Sequence, residues 1–186
     1  MNASSTNGPK ASPAPESEHP RPSIGVIGLG HMGSAFASNL VADGFQVTVY
    51  DIHEELAAPL VSRGARAVAQ ISGLRDCEIV LTSLPNDDVL ASVTLGDEGL
   101  LRTLSADAIH VSMSTVSPGL ARRLTAQHKL AGQGYVAAPV LGNPDLAHER
   151  KLFVIAAGEP SSVRKVSSVL ERLGQRLLRA TATAAT

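Results

Sequence analysis

Three glycines near the start of the chain have the spacing of a phosphate-binding turn. In the segment IGVIGLGHMGSAF they are Gly28, Gly30 and Gly33, in the pattern G-x-G-x-x-G. The first glycine of this pattern permits a tight turn, the second lets the backbone approach a pyrophosphate, and the third lets the following helix pack closely on the strand. The first turn of that helix offers unpaired N–H groups and a partial positive charge to phosphates. The pattern therefore predicts a dinucleotide-binding site.

An acidic residue follows at the distance that such a site requires. Asp51 ends the segment QVTVYD, 18 residues after Gly33, close to the roughly 20 residues expected for the acid that binds a ribose 2′-hydroxyl. Asp51 would repel a 2′-phosphate, and Ile52 and His53 supply no arginine to accept one, although a protonated His53 would assist. The predicted cofactor is NAD, with NADP as the alternative. A methyltransferase-type nucleotide pocket shares parts of the pattern and stays open.

A strand, a turn and a helix must position these residues, and the rest of the chain repeats that alternation. From Ser23 onward, short β-branched runs alternate with longer Ala- and Leu-rich segments of helical period, which is typical of βα units and a parallel sheet. We predict an α/β fold with a Rossmann-type, doubly wound, mostly parallel sheet in a single domain. The predicted strands cover residues 24–27, 47–50, 79–83, 109–112, 135–137 and 153–156, with a weak strand at 65–68, and the predicted helices cover residues 32–43, 54–63, 88–95, 118–131 and 161–173.

The two ends of the chain differ in composition from this region. Residues 1–22 hold five of the 11 prolines and no Val, Ile, Leu or aromatic residue, so they bury too little apolar surface to offset the entropy of ordering. We predict a disordered tail over residues 1–22 and an NAD(P)-binding Rossmann domain over residues 23–176. Residues 177–186 end in ATATAAT and are predicted to be a frayed end.

The overall composition argues against several classes of protein. The 16 Lys and Arg residues nearly balance the 17 Asp and Glu residues, and they are not clustered, so nucleic-acid binding is not expected. No apolar run approaches the roughly 20 residues that span a bilayer, and the N-terminus lacks the apolar core of a secretory signal. The single cysteine, Cys77, fits a reducing compartment, and we predict a cytoplasmic location. The six histidines show no i, i+4 pair, so no metal site is predicted.

Four segments resemble a known family in their amino-acid sequence and in their order along the chain. They are GLGHMGSAFASNL, TSLPNDD at residues 82–88, SMSTVSPGLA at 112–121 and AAPVLGNPDLAHERKLFVIAAG at 137–158. Together they resemble the NAD(P)-binding domain of the β-hydroxyacid dehydrogenase family, which includes 3-hydroxyisobutyrate dehydrogenase and, more distantly, 6-phosphogluconate dehydrogenase. The resemblance covers residues 23–174. It implies hydride transfer between nicotinamide and a small hydroxy acid or aldehyde by the full-length form.

The resemblance also implies which residues bind cofactor and substrate. The turn after the fourth strand would pass under the nicotinamide ribose, and the ST-x-SP segment would bind the substrate carboxylate or hydroxyl. Ser117 in that segment is at least as well suited to cap the next helix. The cofactor-binding set implied in this way is Gly28, Leu29, Gly30, His31, Met32, Gly33, Asp51, Leu84, Pro85, Asn86 and Thr115, and the substrate-binding set is Ser114, Thr115, Gly142 and Asn143.

The sequence departs from the family where substrate and proton chemistry are concerned. Relatives usually carry an Asp at the positions of Ser112 and Ala137, and an SGG loop where this chain reads LGN at residues 141–143. The sequence APVLGNPD instead resembles a poorly characterised subgroup of the family. The substrate therefore does not follow from the better-known members.

The family's general acid/base is a lysine in a G-x-x-x-K-x-x-x-N pattern on a helix that follows the nucleotide domain. None of the four lysines, Lys10, Lys129, Lys151 and Lys165, stands in that pattern, although hydride transfer to a carbonyl needs a proton donor near the reacting oxygen. We therefore predict no catalytic residue. We also expect that the helical domain is lacking through truncation or is supplied by a second chain, and that turnover by this chain is poor. The alternative function is a non-catalytic NAD(H)-binding sensor, in which Ser114→Ala should leave cofactor binding unchanged.

Overall fold

A nine-stranded sheet organises residues 21–180, which are the residues that the computed structural model describes. The sheet has the order β3-β2-β1-β4-β5-β6-β8-β7, with β9 also paired to β8. The first six of these strands are mutually parallel, β8 runs antiparallel to β6 and β7, and β9 is parallel to β8. This order is that of a Rossmann fold. The strands are β1 Ile24–Ile27, β2 Val47–Tyr50, β3 Arg66–Ala67, β4 Ile79–Thr82, β5 Ile109–Ser112, β6 Gly134–Ala137, β7 Val140–Leu141, β8 Leu152–Gly158 and β9 Gly174–Ala180.

Helices cover both faces of the central strands, as the doubly wound prediction requires. On one face, Phe36 of the first helix packs in a cluster with β1, β2, β4 and the last helix. On the other face, Leu90, Leu120 and Leu124 pack around Tyr135. All four residues of β1, β4 and β5 are buried, because parallel strands in such folds are covered from both sides. The helices are α1 His31–Ala42, α2 Ala58–Val61, α3 Asp87–Leu95, α4 Leu100–Thr103, α5 Pro118–Leu130, α6 Pro144–His148 and α7 Pro160–Leu170, with 3₁₀ turns at Glu54–Ala57 and Ile71–Leu74.

The structure confirms the predicted strands and most of the predicted helices, with one helix divided. The segment 54–63 was expected to form one helix, yet it consists of the 3₁₀ turn Glu54–Ala57 followed by the short α2. Pro59 lies in the first turn of α2. Proline has no N–H to donate to the carbonyl four residues earlier, so a continuous α-helix cannot pass through this point.

Both predicted chain ends need correction. Residues 177–180 were expected to fray, but they form the second half of β9, where Leu177 pairs with Val154 and Leu178 with Ile155. At the other end, the predicted tail reached residue 22, yet the Arg21 side chain donates to the carbonyl oxygen of Asp43 and lies 5.5 Å from the ring centroid of Phe45. Both errors arise because pairing with distant segments supplies contacts that local composition does not reveal. The remainder of the predicted tail, residues 1–20, and residues 181–186 lie outside the described residues.

Within residues 21–180, no helix combines the length and the apolar character that crossing a membrane would require. In the same part of the chain, no three His, Cys, Asp or Glu side chains come together in a group that could hold a metal ion.

Candidate cofactor site

The glycine-rich turn joins β1 to α1 at the carboxyl edge of the sheet. Gly28 has a φ of 86°, and a Cβ there would lie 2.2 Å from the carbonyl oxygen of Ser83. A Cβ on Gly33 would lie 1.8 Å from the carbonyl oxygen of Gly28. Both glycines are therefore needed for backbone packing within the protein, as the sequence motif predicts.

Gly30 has a different role from its two neighbours in the motif. It precedes α1 with a φ of −60°, and no atom of residues 21–180 lies within 4 Å of the position that its Cβ would occupy. Within the same residues no side chain caps this end of α1, so its first N–H groups have no side-chain acceptor and lie at the positive end of the helix dipole. The empty space above Gly30 is the cradle that a pyrophosphate would fill.

Asp51 is held in place by the glycine-rich turn and by its own loop. Its Oδ2 accepts a hydrogen bond of 2.6 Å from the N–H of Leu29, and its Oδ1 accepts one of 2.8 Å from the N–H of His53. The His53 Nδ1 lies 3.3 Å from the same Oδ1, and the His53 side chain is 63% exposed while that of Asp51 is 11% exposed. The carboxylate is thus oriented, and its remaining lone pairs are available to ribose hydroxyls.

A cleft of about 580 Å³ brings together many of the residues expected to bind the cofactor. Those that line it are Gly28, Gly30, His31, Met32, Asp51, Leu84 and Pro85. Leu29 and Gly33 are buried beneath it, and they shape the turn without lining the cleft. The predicted cofactor-binding set did not include eight further lining residues, of which the two that directly follow Asp51 could have been added from their position. These eight are Ile27, Tyr50, Ile52, His53, Ser83, Val89, Val93 and Pro144.

Three other predicted residues act within the protein's own framework. Asn86 caps α3, with its Oδ1 accepting a 2.9 Å hydrogen bond from the N–H of Val89. Asn143 caps α6 in the same way, 3.0 Å from the N–H of Leu146. Gly142 precedes it with a φ of 145°, in the region that favours glycine. None of the three lines the cleft, so any contact with a ligand would involve their backbone or the unused part of the Asn side chains.

The ST-x-SP segment lies beside the β4–α3 turn, and its two hydroxyl residues differ in exposure. Ser114 is 6% exposed, and its Oγ accepts a 2.8 Å hydrogen bond from the N–H of Leu84. Thr115 is exposed to solvent. Ser114 therefore supports the turn implied to pass under the nicotinamide ribose, and Thr115 is the residue of the pair that a substrate could reach.

Ser117 and Asp87 join the starts of α3 and α5. Ser117 caps α5, accepting a 3.2 Å hydrogen bond from the N–H of Leu120, in agreement with the capping interpretation. The N–H of Ser117 donates to Asp87 Oδ1 at 3.0 Å. Hydrogen bonds from the Ser117 hydroxyl and N–H lower the pKa of the Asp87 carboxyl. Asp87 thus interacts with this neighbouring loop as well as with its own helix terminus.

The lysines of the described region stand away from the cleft. Lys151 pairs with Glu149 at 2.7 Å on the surface. Lys129 and Lys165 line a separate groove of about 980 Å³ between α5 and the start of α7. That larger groove extends along β6 from Gly134 to Ala137, and none of the residues predicted to bind cofactor or substrate lines it. The smaller cleft, in contrast, lies at the carboxyl ends of β1 and β2, where open α/β sheets bind ligands. The smaller cleft is therefore the better candidate site.

Comparison with known proteins identifies the family. Residues 23–182 match the family described as the NAD binding domain of 6-phosphogluconate dehydrogenase. An uncharacterised oxidoreductase of Bacillus subtilis (strain 168), YfjR, is 39% identical over 155 residues, which are 83% of this chain and 54% of that protein. The 3-sulfolactaldehyde reductase of Escherichia coli (strain K12) is 34% identical over 158 residues, which are 84% of this chain and 53% of that protein. The chain thus spans about half the length of these curated relatives.

Solved structures agree with the fold. Psf3 in complex with NADP⁺ and 2-OPP superposes with a TM-score of 0.82 at 28% identity, over 86% of this chain and 57% of that one. The 3-hydroxyisobutyrate dehydrogenase of Mycobacterium tuberculosis, solved with L-serine, has a TM-score of 0.80 at 24% identity, over 85% of this chain and 54% of that one. Because its sequence identity is 24%, the Mycobacterium tuberculosis structure is evidence for the fold alone.

Proposed function

The chain belongs to the family of the NAD-binding domain of 6-phosphogluconate dehydrogenase, and we propose that it is the cofactor-binding part of an oxidoreductase acting on a small hydroxy acid or aldehyde. One arrangement carries this proposal. The open space above Gly30 faces the uncapped start of α1, while Asp51 is oriented at the other side of the same cleft by the N–H of Leu29. A pyrophosphate and a ribose of one dinucleotide would meet these two features together.

NAD is the cofactor that the charges of the cleft favour over NADP. The carboxylate of Asp51 would repel a 2′-phosphate, and the part of the chain that the structure describes contributes no Arg or Lys to the lining of the cleft. His53 is the nearest side chain that could carry a positive charge, 3.3 Å from Asp51. A ribose diol can donate to the free lone pairs of the carboxylate, whereas a phosphate cannot.

The chain's own residues would bind and orient the cofactor, which itself supplies the hydride donor or acceptor. The turn containing Leu84 and Pro85 lines the cleft beyond the glycines and is supported by Ser114. Thr115, which is exposed nearby, is the proposed contact for a substrate carboxylate or hydroxyl. Ser114, Gly142 and Asn143 belong to the same proposed substrate region through the backbone that they hold in place.

We propose that this chain binds cofactor without efficient turnover on its own. The titratable residues that line the cleft are His31, Tyr50, Asp51 and His53, at the glycine-rich turn and at the end of β2. None of them lies in the turn at residues 84–86 or in the segment 112–118, where a reacting carbonyl would be held. A general acid must lie within hydrogen-bond reach of the reacting oxygen, so a proton donor from elsewhere would be needed.

A second chain that supplies a helical domain is the partner that we propose. Leu141, Phe153 and Leu178 are 59%, 38% and 40% exposed. They lie on one face of β7, β8 and β9, since Leu141 pairs with Phe153, and Leu178 pairs with Ile155, two residues along β8. The alternate residues of β8, Leu152 and Val154, are fully buried on the opposite face. An apolar sheet face is normally covered by helices, and the segment that matches the relatives covers only 54% and 53% of their length.

The competing function is an NAD(H)-binding sensor without catalysis. The hydrogen bond between Leu84 and Ser114 changes how the two functions are told apart, because Ser114→Ala should now weaken cofactor binding in either case. The exposed Thr115 is the better probe. In an enzyme supplied with its helical partner, Thr115→Ala should raise the KM for substrate by a larger factor than the Kd for NADH, whereas a sensor would show no substrate turnover at all.

The first experiment is calorimetric titration of the purified chain with NADH and with NADPH, alongside the Asp51→Ala variant. The proposal expects NADH to bind more tightly than NADPH, and the preference to be lost in the variant. Binding of neither nucleotide would overturn it.

A further inference from the structure

A line of buried polar side chains runs from the carboxyl end of β4 to the region between α5 and β6. Thr82 Oγ1 lies 3.0 Å from His110 Nε2, and His110 Nδ1 lies 3.0 Å from His128 Nε2. His128 Nδ1 lies 2.8 Å from Gln133 Oε1. Thr82, His110 and His128 are fully buried, so each of these contacts must be a satisfied hydrogen bond.

The geometry fixes the direction of the hydrogen bond at the Gln133 end of this line. The Gln133 Nε2 lies 3.2 Å from the carbonyl oxygen of Leu101 and 2.7 Å from that of Leu104. Carbonyl oxygens only accept, so the Gln133 amide nitrogen must face them and its oxygen must face His128. His128 Nδ1 therefore carries the proton that Gln133 accepts.

The remaining directions follow from the neutral state of the two imidazoles. With its proton on Nδ1, a neutral His128 offers only a lone pair at Nε2, so His110 must donate from its own Nδ1. His110 Nε2 is then a lone pair, which leaves the Thr82 hydroxyl as the donor to it. The line runs in one direction, from Thr82 through both histidines and Gln133 to the carbonyls of α4 and the residue after it.

We propose that His110 and His128, both held as Nδ1–H tautomers, are positioning residues that fix the end of β4 beneath the candidate cofactor turn. Thr82 is followed by Ser83, whose N–H donates to the carbonyl of Ile27 at 2.9 Å. The Ser83 carbonyl in turn occupies the space in which a Cβ on Gly28 would lie. A shift of Thr82 would thus be transmitted to the packing of β4 against the glycine-rich turn. The cofactor part of this proposal rests on the proposed function.

The surroundings of the two rings favour the neutral state. Tyr135 of β6 lies edge-on to His110 at 5.3 Å and stacks on His128 at 5.6 Å, measured between ring centroids. Asp87 of α3 is the charged side chain that acts on Tyr135, and burial holds the pKa of both histidines below the ordinary value. One added proton on His128 would reverse the part of the line between His128 and Thr82, since His128 Nε2 would then donate to His110, and His110 Nε2 to Thr82, while His128 Nδ1 would still donate to Gln133.

The tautomers are tested directly by long-range ¹H–¹⁵N correlation on ¹⁵N-histidine-labelled full chain at pH 7. Two histidines should show protonated Nδ1 and unprotonated Nε2, the minor form of histidine in water. Assignment comes from His110→Gln and His128→Gln, each of which should remove one of the two signals. An Nε2–H tautomer or an imidazolium at either position would overturn the proposed direction.

The positioning role is tested with two fully buried threonines, one with a hydrogen-bond partner and one without. Thr82→Val removes the donor to His110, whereas Thr94→Val removes a hydroxyl of α3 that has no partner within residues 21–180. We expect Thr82→Val to raise the Kd for NADH about threefold to tenfold, and Thr94→Val to leave it unchanged. An unchanged Kd in Thr82→Val, or an equal rise in both variants, would overturn the role.

If the unaltered chain bound no NADH, the proposed function and this positioning role would both be wrong. The tautomer measurement would still decide the direction of the line.

Discussion

The carboxylate of Asp51 accepts a 2.6 Å hydrogen bond from the N–H of Leu29, which joins the end of β2 to the turn between Gly28 and Gly30. The residue expected to select the cofactor is therefore tied to the turn expected to hold its phosphates. Because Asp51 is already oriented, less side-chain entropy is lost when a ribose binds.

Replacing Asp51 should change which nucleotide binds. Asp51→Ala removes both the acceptor for ribose hydroxyls and the charge that repels a 2′-phosphate, so we expect the Kd for NADH to rise about tenfold or more and that for NADPH not to rise. Calorimetric titration measures both. Asp97→Ala is the matched control, because the side chain of Asp97 is 96% exposed and Asp97 is not among the residues that line the cleft. An equal loss of NADH affinity in the two variants would contradict the role of Asp51.

Two glycines of the motif should respond to alanine in opposite ways. Gly33→Ala would place a Cβ 1.8 Å from the Gly28 carbonyl oxygen, so we expect a marked fall in Tm. At Gly30 nothing lies within 4 Å of the added Cβ and φ is −60°, so Gly30→Ala should keep its Tm and lose NADH affinity. Thermal unfolding followed by titration separates the two effects. A large loss of Tm in Gly30→Ala would show that this glycine also serves packing.

Ser114→Ala tests the support of the β4–α3 turn. The variant leaves the N–H of Leu84 without its 2.8 Å partner, and we expect the Kd for NADH to rise about threefold to tenfold. Ser117→Ala is the comparison, because it removes the α5 cap at a cost of about 1 kcal/mol in the free energy of unfolding without touching Leu84. If Ser117→Ala weakened NADH binding as much as Ser114→Ala, the effect would reflect general loosening of this edge.

The buried histidine pair should make stability depend on pH below neutrality. Burial lowers the pKa of His110 and His128 from 6.5 in the folded state, so below pH 6.5 the unfolded chain binds protons that the folded chain does not. Stability is therefore full above pH 6.5 and is lost as the pH falls, by up to about 1.4 kcal/mol per pH unit for each histidine. Urea unfolding at pH 7.5 and 5.5 measures this loss. The slope should persist in His148→Gln, an exposed site, and flatten in His128→Gln.

The apolar face of β7, β8 and β9 should govern association. In Phe153→Lys combined with Leu178→Lys, we expect less binding of a hydrophobic dye and less self-association in sedimentation, because contiguous exposed apolar surface drives both. Leu130→Lys is the control, since Leu130 is 83% exposed and lies at the end of α5. An equal effect of Leu130→Lys would show that single exposed leucines, and not the sheet face, are responsible.

The sequence alone determined the strand–turn–helix unit and the cofactor class. Gly28, Gly30, Gly33 and Asp51 are constrained by local geometry, because a tight turn, a close approach and an acid at a strand end each demand particular residue types at particular spacings. The central strands could be recognised for a similar reason, since strands buried on both faces read as continuous apolar runs.

Only the tertiary structure decided the roles that depend on pairing between distant segments. The contact of Ser114 with substrate stays a prediction, and the structure adds a second role, since its hydroxyl oxygen accepts from the N–H of Leu84, 30 residues away along the chain. His110 and His128 were treated as separate histidines, and they form one line because β5 and α5 pack together. Residues 177–180 form part of a strand because they pair with β8. Hydrogen bonds between distant residues leave no periodic pattern in a sequence, so these relationships became visible only once the sheet had brought their partners together.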